Sequence, residues 1–307
     1  MTSFFTKILP VLIILPAIYL YLACVGHYEW IHLQQGNSNI DYPAKYQGLE
    51  SKFSLQVIEV PVDDSHDSAI IHTWLMKSKD ASDSASKPLV VMSHGLGSQK
   101  DMGLLPYAEK FCADGFAVVM MDYRYFGGSS NSDKTNFRNL IDPWNHVSDI
   151  QTVLNAIINN HILGSDIDTN NIILWGTSFA GGHMLRVANN ENNPLPNIKA
   201  VISQVPHLDG KAASLRALKS RGIAGFMRVM ALALSDILLQ QVNKLGNIIG
   251  VQFNLPSIYV KIVGTATDSA YMVISDNELT NYFAKHPAEY LGGWRNLAPA
   301  RTLAYMS

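Results

Sequence analysis

Short apolar segments alternate with amphipathic segments from about residue 53 onward, which predicts strands alternating with helices. Residues 53–60 and 69–76 have the alternating composition of two strands separated by turn residues. The fully apolar segment 89–92 is typical of a strand inside a parallel sheet. By the same reasoning, further helices are predicted at 104–113, 144–160 and 179–189, and further strands at 117–121, 172–175 and 200–205. This alternation predicts an α/β protein with a mostly parallel, doubly wound sheet.

The N-terminus has a different pattern. Residues 8–25 form a nearly unbroken apolar run, long enough for a transmembrane helix or the core of a long signal peptide. Lys7 precedes the run, so the positive-inside tendency leaves the N-terminus cytoplasmic and places the following domain on the non-cytoplasmic side. We therefore expect residues 1–33 to be an uncleaved membrane anchor. A cleaved or lipidated terminus (secreted protein or lipoprotein) and a buried helix are the alternatives.

The segment with the clearest chemical meaning is Gly-Thr-Ser-Phe-Ala-Gly at 176–181. It follows an apolar strand and opens a helix, as a nucleophile elbow requires: the tight turn pushes the hydroxyl of Ser178 out above the sheet edge. The backbone N–H of Phe179 can then face a developing oxyanion. The alternative is a structural serine in an ordinary strand–helix turn.

Two glycine-rich segments follow neighbouring strands. Ser-His-Gly-Leu-Gly at 93–97 ends the third strand, and Asp-Tyr-Arg-Tyr-Phe-Gly-Gly-Ser at 122–129 ends the fourth. With the serine turn, these segments resemble the α/β-hydrolase superfamily, and most closely its serine aminopeptidase-like and dienelactone-hydrolase-like members. The resemblance covers about 53–205 and implies that the backbone N–H of Leu96 is the second oxyanion donor. Ala180 departs from the motif, which more often has glycine there.

The resemblance also implies an acid and then a histidine on core strands that follow the nucleophile. After residue 205 the pattern shows instead an apolar helix at 223–245, a short extended piece at 256–263 and a helical ending. We therefore expect 34–206 to be the hydrolase core and 207–307 to be a helical lid with an incomplete C-terminal part, the last core strands and the catalytic histidine being missing. Substitutes considered for the missing groups are His94, His183, His207, His286 and, as the acid, Asp209.

Composition and charge narrow the function further. The net charge is −2 and no long basic run occurs, which argues against a nucleic-acid partner. The two cysteines, Cys24 and Cys112, show no metal-type spacing, and neither a metal nor a cofactor is implied. The expected partners are a small-molecule or peptide acyl substrate and, through residues 1–33, a membrane. An apolar lid would suit an acyl group, although such a helix is more often packed core.

Two hypotheses remain open at this point. In the first, the chain is a serine hydrolase that cleaves an ester or amide through an acyl-enzyme on Ser178. In the second, it is a catalytically inactive, truncated hydrolase-fold protein, a fragment or one with a binding or scaffold role. A sheet without its last strands would expose an edge that has to be covered.

Overall fold

A computed structural model describes residues 48–64, 67–79, 86–130, 138–191, 194–253, 255, 257–265, 270–275, 277 and 296–304. The predicted membrane segment, including Cys24, and the candidate His286 lie outside the described residues.

A six-stranded sheet forms the centre of the protein. Its strand order is β1-β2-β4-β3-β5-β6. Strands β3 to β6 run parallel to one another, whereas β1 pairs antiparallel with β2, and β2 antiparallel with β4. The strands are β1 (Phe53–Asp64), β2 (Asp67–Ser78), β3 (Lys87–Ser93), β4 (Ala117–Met121), β5 (Ile167–Thr177) and β6 (Ile198–Gln204). The predicted α/β class and mostly parallel sheet are confirmed.

Helices α1 (Leu49–Lys52), α2 (Leu105–Ala113), α3 (Pro143–Asn159) and α4 (Phe179–Ala188) connect or flank these strands. Helix α3 begins at Pro143 because the carboxylate of Asp142 accepts hydrogen bonds from the N–H groups of Trp144 and Asn145, and because proline is tolerated in the first turn. Its buried side chains recur every three or four residues and pack on the sheet: Val147, Ile150, Val153, Leu154 and Ile157. The apolar residues that recur every three or four positions in the sequence therefore form the face of this helix that packs on the sheet.

The region after β6 departs from the sequence-based expectation. Helix α5 (Gly210–Ile248) begins earlier than predicted and is kinked at Gly222, where φ is 70° and ψ is 173°. Strands β7 (Tyr259–Gly264), β8 (Ala270–Val273) and β9 (Leu297–Pro299) then form a second sheet of order β8-β7-β9, and a 3₁₀ helix (Ala300–Ala304) follows.

The extended piece predicted at 256–263 corresponds to β7, and the described end of the chain is the 3₁₀ helix, but strands β8 and β9 were not predicted. The missed strands β8 and β9 are very short. Strand β9 is defined by its pairing with β7, in which Pro299 lies opposite Tyr259. Such long-range pairing leaves no local pattern in the sequence. Among the described residues no strand pairs with the outer side of β6, where Ile202 is exposed.

The second sheet and α5 are held together and against the central domain by buried polar contacts. The carboxylate of Asp236 on α5 accepts hydrogen bonds from the N–H groups of Ile258 and Arg301, and forms an ion pair of 3.0 Å with the Arg301 guanidinium. The N–H of Arg138, in the segment before α3, donates to the Tyr259 hydroxyl of β7. The apolar residues Ile258, Val260 and Ile262 also join the core cluster of the central sheet.

Candidate active site

Ser178 stands at the turn between β5 and α4 in a strained conformation. Its φ is 55° and its ψ is −116°, and a positive φ at a non-glycine residue is uncommon and costs free energy. The turn is tied to the end of β6, because Ser178 N donates to Gln204 O (2.8 Å) and His207 N donates to Ser178 O (2.9 Å). The side chain of Ser178 is exposed. The predicted elbow geometry is therefore present, with the hydroxyl at the carboxyl edge of the sheet.

Small residues are needed around this turn because backbone segments meet there. A Cβ added to Gly176 would lie 2.5 Å from the carbonyl oxygen of Ala180, and one added to Gly182 would overlap the carbonyl oxygen of His207. Ala180 itself is completely buried. The methyl group of Ala180, at a position where glycine is more usual, therefore fits inside the buried turn.

The segment after β3 lies directly beside the serine. A Cβ added to Gly95 would be 3.4 Å from Ser178 Cβ and 3.9 Å from Ser178 Oγ, so glycine allows this close approach. Among the described residues, the N–H groups of Leu96 and Phe179 have no hydrogen-bond acceptor. For Phe179 the reason is its place at the start of α4, where helix N–H groups lack intrahelical partners.

A buried carboxylate that the sequence analysis did not single out orders the loops around Ser178. Asp122, at the end of β4, accepts hydrogen bonds from Lys100 N (2.7 Å) and Gly128 N (2.9 Å), and it is ion-paired with the Lys100 ammonium. Burial is the largest single influence on the pKa of Asp122 and would raise it, but the charge of Lys100, the neighbouring His94 and the hydrogen bonds from Lys100 together outweigh burial, and the pKa is lowered. The ionised carboxylate therefore joins the loop after β3 to the loop after β4.

A cluster of buried aromatic and histidine rings supports the serine turn. The rings of Tyr123 and His146 are stacked 4.0 Å apart, His94 lies 4.6 Å from Tyr123, and His183 lies 4.5 Å from Phe179. Burial lowers the pKa of His94 to about 4 and that of His183 to about 3. Both rings are thus neutral at neutral pH, and their burial makes them packing groups.

His207 differs from these histidines because it is only partly buried and follows the end of β6. Its ring centroid lies 5.3 Å from that of Phe179. Burial lowers the pKa of His207, and the charge of Asp209 opposes this effect in part. Asp209 has a structural role: its carboxylate accepts a hydrogen bond from Ala212 N (2.9 Å) and so caps α5.

The chemical groups that the described residues bring together are a serine hydroxyl and two unpaired N–H groups. Within this part of the chain, Ser178 Oγ forms no hydrogen bond with a histidine. The structure also contains, in the same described ranges, no group of three or more His, Cys, Asp or Glu side chains that could hold a metal ion. The arrangement is suited to attack on a carbonyl carbon and to stabilisation of the resulting oxyanion.

Comparison with known proteins gives relatives of both sequence and fold. The quorum-quenching protein AidA from Acinetobacter baumannii is 35% identical over 205 residues, 64% of this chain and 60% of that protein. The chain thus spans less than two thirds of this curated relative.

Solved structures below 25% identity show the fold alone. A hypothetical protein from Pseudomonas aeruginosa has a TM-score of 0.62 at 15% identity, covering 89% of this chain and 76% of that one. The alpha/beta hydrolase GrgF from Penicillium has a TM-score of 0.57 at 18% identity, covering 82% and 72%.

The match that decides the family is the one to the serine aminopeptidase (S33) hydrolase model, which extends over residues 84–287. That range contains the loop after β3, the loop after β4 and the serine turn. The chain belongs to the serine aminopeptidase (S33) family of α/β-hydrolases.

Proposed function

We propose that the protein is a serine hydrolase that transfers the acyl group of an ester or amide to Ser178 and then to water. The observation that supports this proposal best is the strained, exposed Ser178 beside two N–H groups that have no acceptor among the described residues. Strain of this kind persists where the surrounding structure imposes it, and it occurs often in active sites. Membership of a hydrolase family supports the same reaction class.

In the proposed mechanism, Ser178 Oγ attacks the carbonyl carbon of the substrate while its proton passes to a base. Negative charge develops on the carbonyl oxygen, and the N–H groups of Phe179 and Leu96 donate hydrogen bonds to it. Collapse of the tetrahedral intermediate releases the alcohol or amine, which takes up the proton. Water then attacks the acyl-enzyme in the same way, and the carboxylic acid leaves.

We propose His207 as the base. It is the one described histidine outside the buried cluster whose main chain is bonded to Ser178. Its lowered pKa keeps it neutral, and therefore able to accept a proton, at and somewhat below neutral pH. His286, which lies outside the described residues, is the alternative base.

The proposed substrate class is an ester or amide of a carboxylic acid. The relative AidA carries the name of a quorum-quenching protein. A bacterial quorum-sensing signal with a lactone and an amide bond, such as an N-acyl homoserine lactone, therefore belongs among the first test substrates, beside simple p-nitrophenyl esters of increasing chain length.

The decisive test is labelling of the full chain with a fluorophosphonate, which reacts with a serine that a nearby base activates. We expect labelling that Ser178→Ala abolishes and Ser220→Ala, an exposed serine on α5, leaves unchanged. His207→Gln should reduce the labelling rate by about 100-fold or more, as expected for loss of a general base. Because burial lowers the pKa of His207, the wild-type rate should hold through the pH at which an ordinary histidine titrates and decline only at lower pH.

The absence of a histidine hydrogen-bonded to Ser178 among the described residues favours a second candidate function. In that case the protein has the hydrolase fold without an active base, and it binds an acyl compound instead of cleaving it. A cooperatively unfolding sample that the fluorophosphonate does not label would support this candidate and contradict the first. Labelling that survives His207→Gln but not His286→Gln would keep the hydrolase proposal and reassign its base.

We also propose that residues 1–33 anchor the protein in a membrane with the hydrolase domain on the non-cytoplasmic side. The apolar run at 8–25 supports this proposal. An anchored protein stays with the membrane after alkaline carbonate extraction, and external protease digests its domain in intact spheroplasts. Release into the carbonate supernatant would contradict the anchor.

A further inference from the structure

Helix α5 carries a row of large apolar side chains on its solvent-facing side. Beyond the kink at Gly222 these side chains recur at intervals that keep them on one face of a helix with 3.6 residues per turn. They are Ile223, Met227, Leu234, Leu238, Leu245 and Ile248, with exposed fractions from 37% at Leu238 to 78% at Ile223. We call these six residues the apolar stripe. Exposed Ile249, Val251 and Phe253 extend the same apolar surface past the end of the helix.

The opposite face of α5 is the one that packs on the protein. Val229, Leu232, Ala233 and Asp236 are buried, and Asp236 is bonded to Arg301 of the 3₁₀ helix. In length and composition, Lys219–Ile248 would suffice to cross a membrane. Because one face is buried against the folded domain and includes a paired charge, the helix is positioned to lie along an apolar surface and not to cross it.

The charges of α5 indicate what kind of surface it meets. Lys211, Arg216 and Lys219 are exposed in the segment leading to the stripe, and Lys244 is exposed near its end. The one acidic residue within α5, Asp236, is buried and neutralised by Arg301. The exposed Asp209 immediately precedes the helix and caps it. An exposed apolar face bordered by basic residues is the arrangement that binds an anionic lipid surface, whereas a protein partner would not require this charge bias.

From this combination we propose that α5 docks in the plane of an anionic phospholipid bilayer, with the apolar stripe inserted among the lipids and the basic residues against the headgroups. The buried face keeps the helix attached to the domain. Since α5 begins a few residues after His207, whose N–H is bonded to Ser178, docking places the carboxyl edge of the central sheet close to the membrane. This inference concerns a surface and does not depend on the proposed hydrolase activity.

The test uses the full chain with an environment-sensitive dye attached to the stripe. The variant Leu234→Cys, in a Cys24→Ser background, is labelled with NBD and reconstituted into vesicles that contain phosphatidylglycerol. Cys112 does not interfere, because it is buried and burial raises the pKa of its thiol to about 12. We expect a blue-shifted emission that doxyl-labelled lipids quench. The matched control, Asn159→Cys at the exposed end of α3, should remain unshifted and unquenched.

A second comparison tests the charge. The triple variant Lys211→Gln, Arg216→Gln and Lys219→Gln removes three cations from the surface. Each basic residue near an anionic membrane contributes roughly fivefold to the partition constant, so the equilibrium constant for docking should fall on the order of 100-fold. Doxyl quenching of the dye at 234 should then fall at least to half, as it should in vesicles of phosphatidylcholine alone. A higher salt concentration should also decrease the quenching, because salt screens the attraction between basic residues and anionic lipid.

Several results would overturn the proposal. A dye at 234 that stays exposed to water in phosphatidylglycerol vesicles excludes docking. Equal quenching in neutral and anionic vesicles would show that docking does not depend on anionic lipid. A blue shift without vesicles identifies a protein as the occupant instead: a second copy of the chain if the shift depends on protein concentration, or another segment of the same chain if it does not.

Discussion

At the residue scale, Ser178 shows how a local conformation is imposed by its neighbours. Its positive φ is unfavourable for a serine, yet main-chain hydrogen bonds from Ser178 N to Gln204 and from His207 N to Ser178 hold the turn at the end of β6. The glycines at 95 and 182 allow the loop after β3 and the segment after β6 to approach it. The exposed hydroxyl therefore results from contacts with two other segments of the chain, the loop after β3 and the end of β6 with the residues that follow it.

The ion pair between Lys100 and Asp122 gives a prediction at this scale. Both side chains are almost fully buried, so Lys100→Met leaves a buried carboxylate without its cation. Breaking a buried pair from one side is strongly destabilising, and we expect a loss of roughly 3 kcal/mol in the free energy of unfolding, measured by urea denaturation.

The control for this change is a second lysine–aspartate pair on the surface. Lys77 and Asp166 are 2.9 Å apart, with 25% and 52% of their side chains exposed. Lys77→Met should cost less than about 1 kcal/mol, because exposed pairs contribute little. Equal losses for the two variants would mean that the buried pair does not hold the loops as described.

At the scale of elements, the serine turn between β5 and α4 is positioned by contacts with the end of β6 and with the segment that leads to α5. Helix α4 packs against the segment that links β6 to α5, and Gly182 is the point of closest approach. Asp209 caps α5 immediately afterwards. The position of His207 relative to Ser178 therefore depends on how closely α4 and this linking segment meet.

The variant Gly182→Ala tests that dependence. Its Cβ would overlap the carbonyl oxygen of His207, which belongs to the main chain and cannot rotate away. We expect a net destabilisation of about 2 kcal/mol, since overpacking outweighs the better helix propensity of alanine. Fluorophosphonate labelling should also slow.

Leu185→Ala is the matched control, since Leu185 is exposed on the same helix. It should stay within about 0.5 kcal/mol of the wild type, as is usual for surface substitutions. A Gly182→Ala protein as stable as the wild type would refute the close contact.

At the scale of the whole molecule, the buried rings of His94, His146 and His183 make the fold sensitive to acid. Burial is the main cause that lowers the pKa of each. Between a pH of about 6.5 and these lowered values, the unfolded chain binds protons that the folded protein does not. Stability is therefore full above about pH 6.5 and is lost as the pH falls.

We expect the free energy of unfolding to fall by about 1.4 kcal/mol per pH unit for each such histidine below pH 6. His146→Phe keeps a ring stacked on Tyr123 and removes one titrating group. Its unfolding free energy should decline less steeply than that of the wild type between pH 7 and pH 5, as measured by urea titrations at each pH. Parallel slopes for the two proteins would show that His146 is not a buried neutral group.

The central sheet and the position of the serine could be predicted from the residue pattern alone. The apolar periods predicted β1 to β6 and α2 to α4 within a few residues, because burial against one sheet requires those periods. The order of strand, Gly-Thr-Ser and helix located Ser178, because a tight turn needs small residues at fixed spacing. The predicted membrane segment remains a prediction, since it lies outside the described residues.

The second sheet, the pairing of Lys100 with Asp122 and the outward direction of the apolar stripe could not be predicted in this way. Each depends on which distant segments meet: β9 becomes a strand through pairing with β7, and Asp122 is ionised because Lys100 folds over it. The α5 sequence is apolar on several sides, so its composition could not show which face is buried. The burial of Val229, Leu232 and Ala233 and the pairing of Asp236 with Arg301 orient the helix and leave the apolar stripe facing outward.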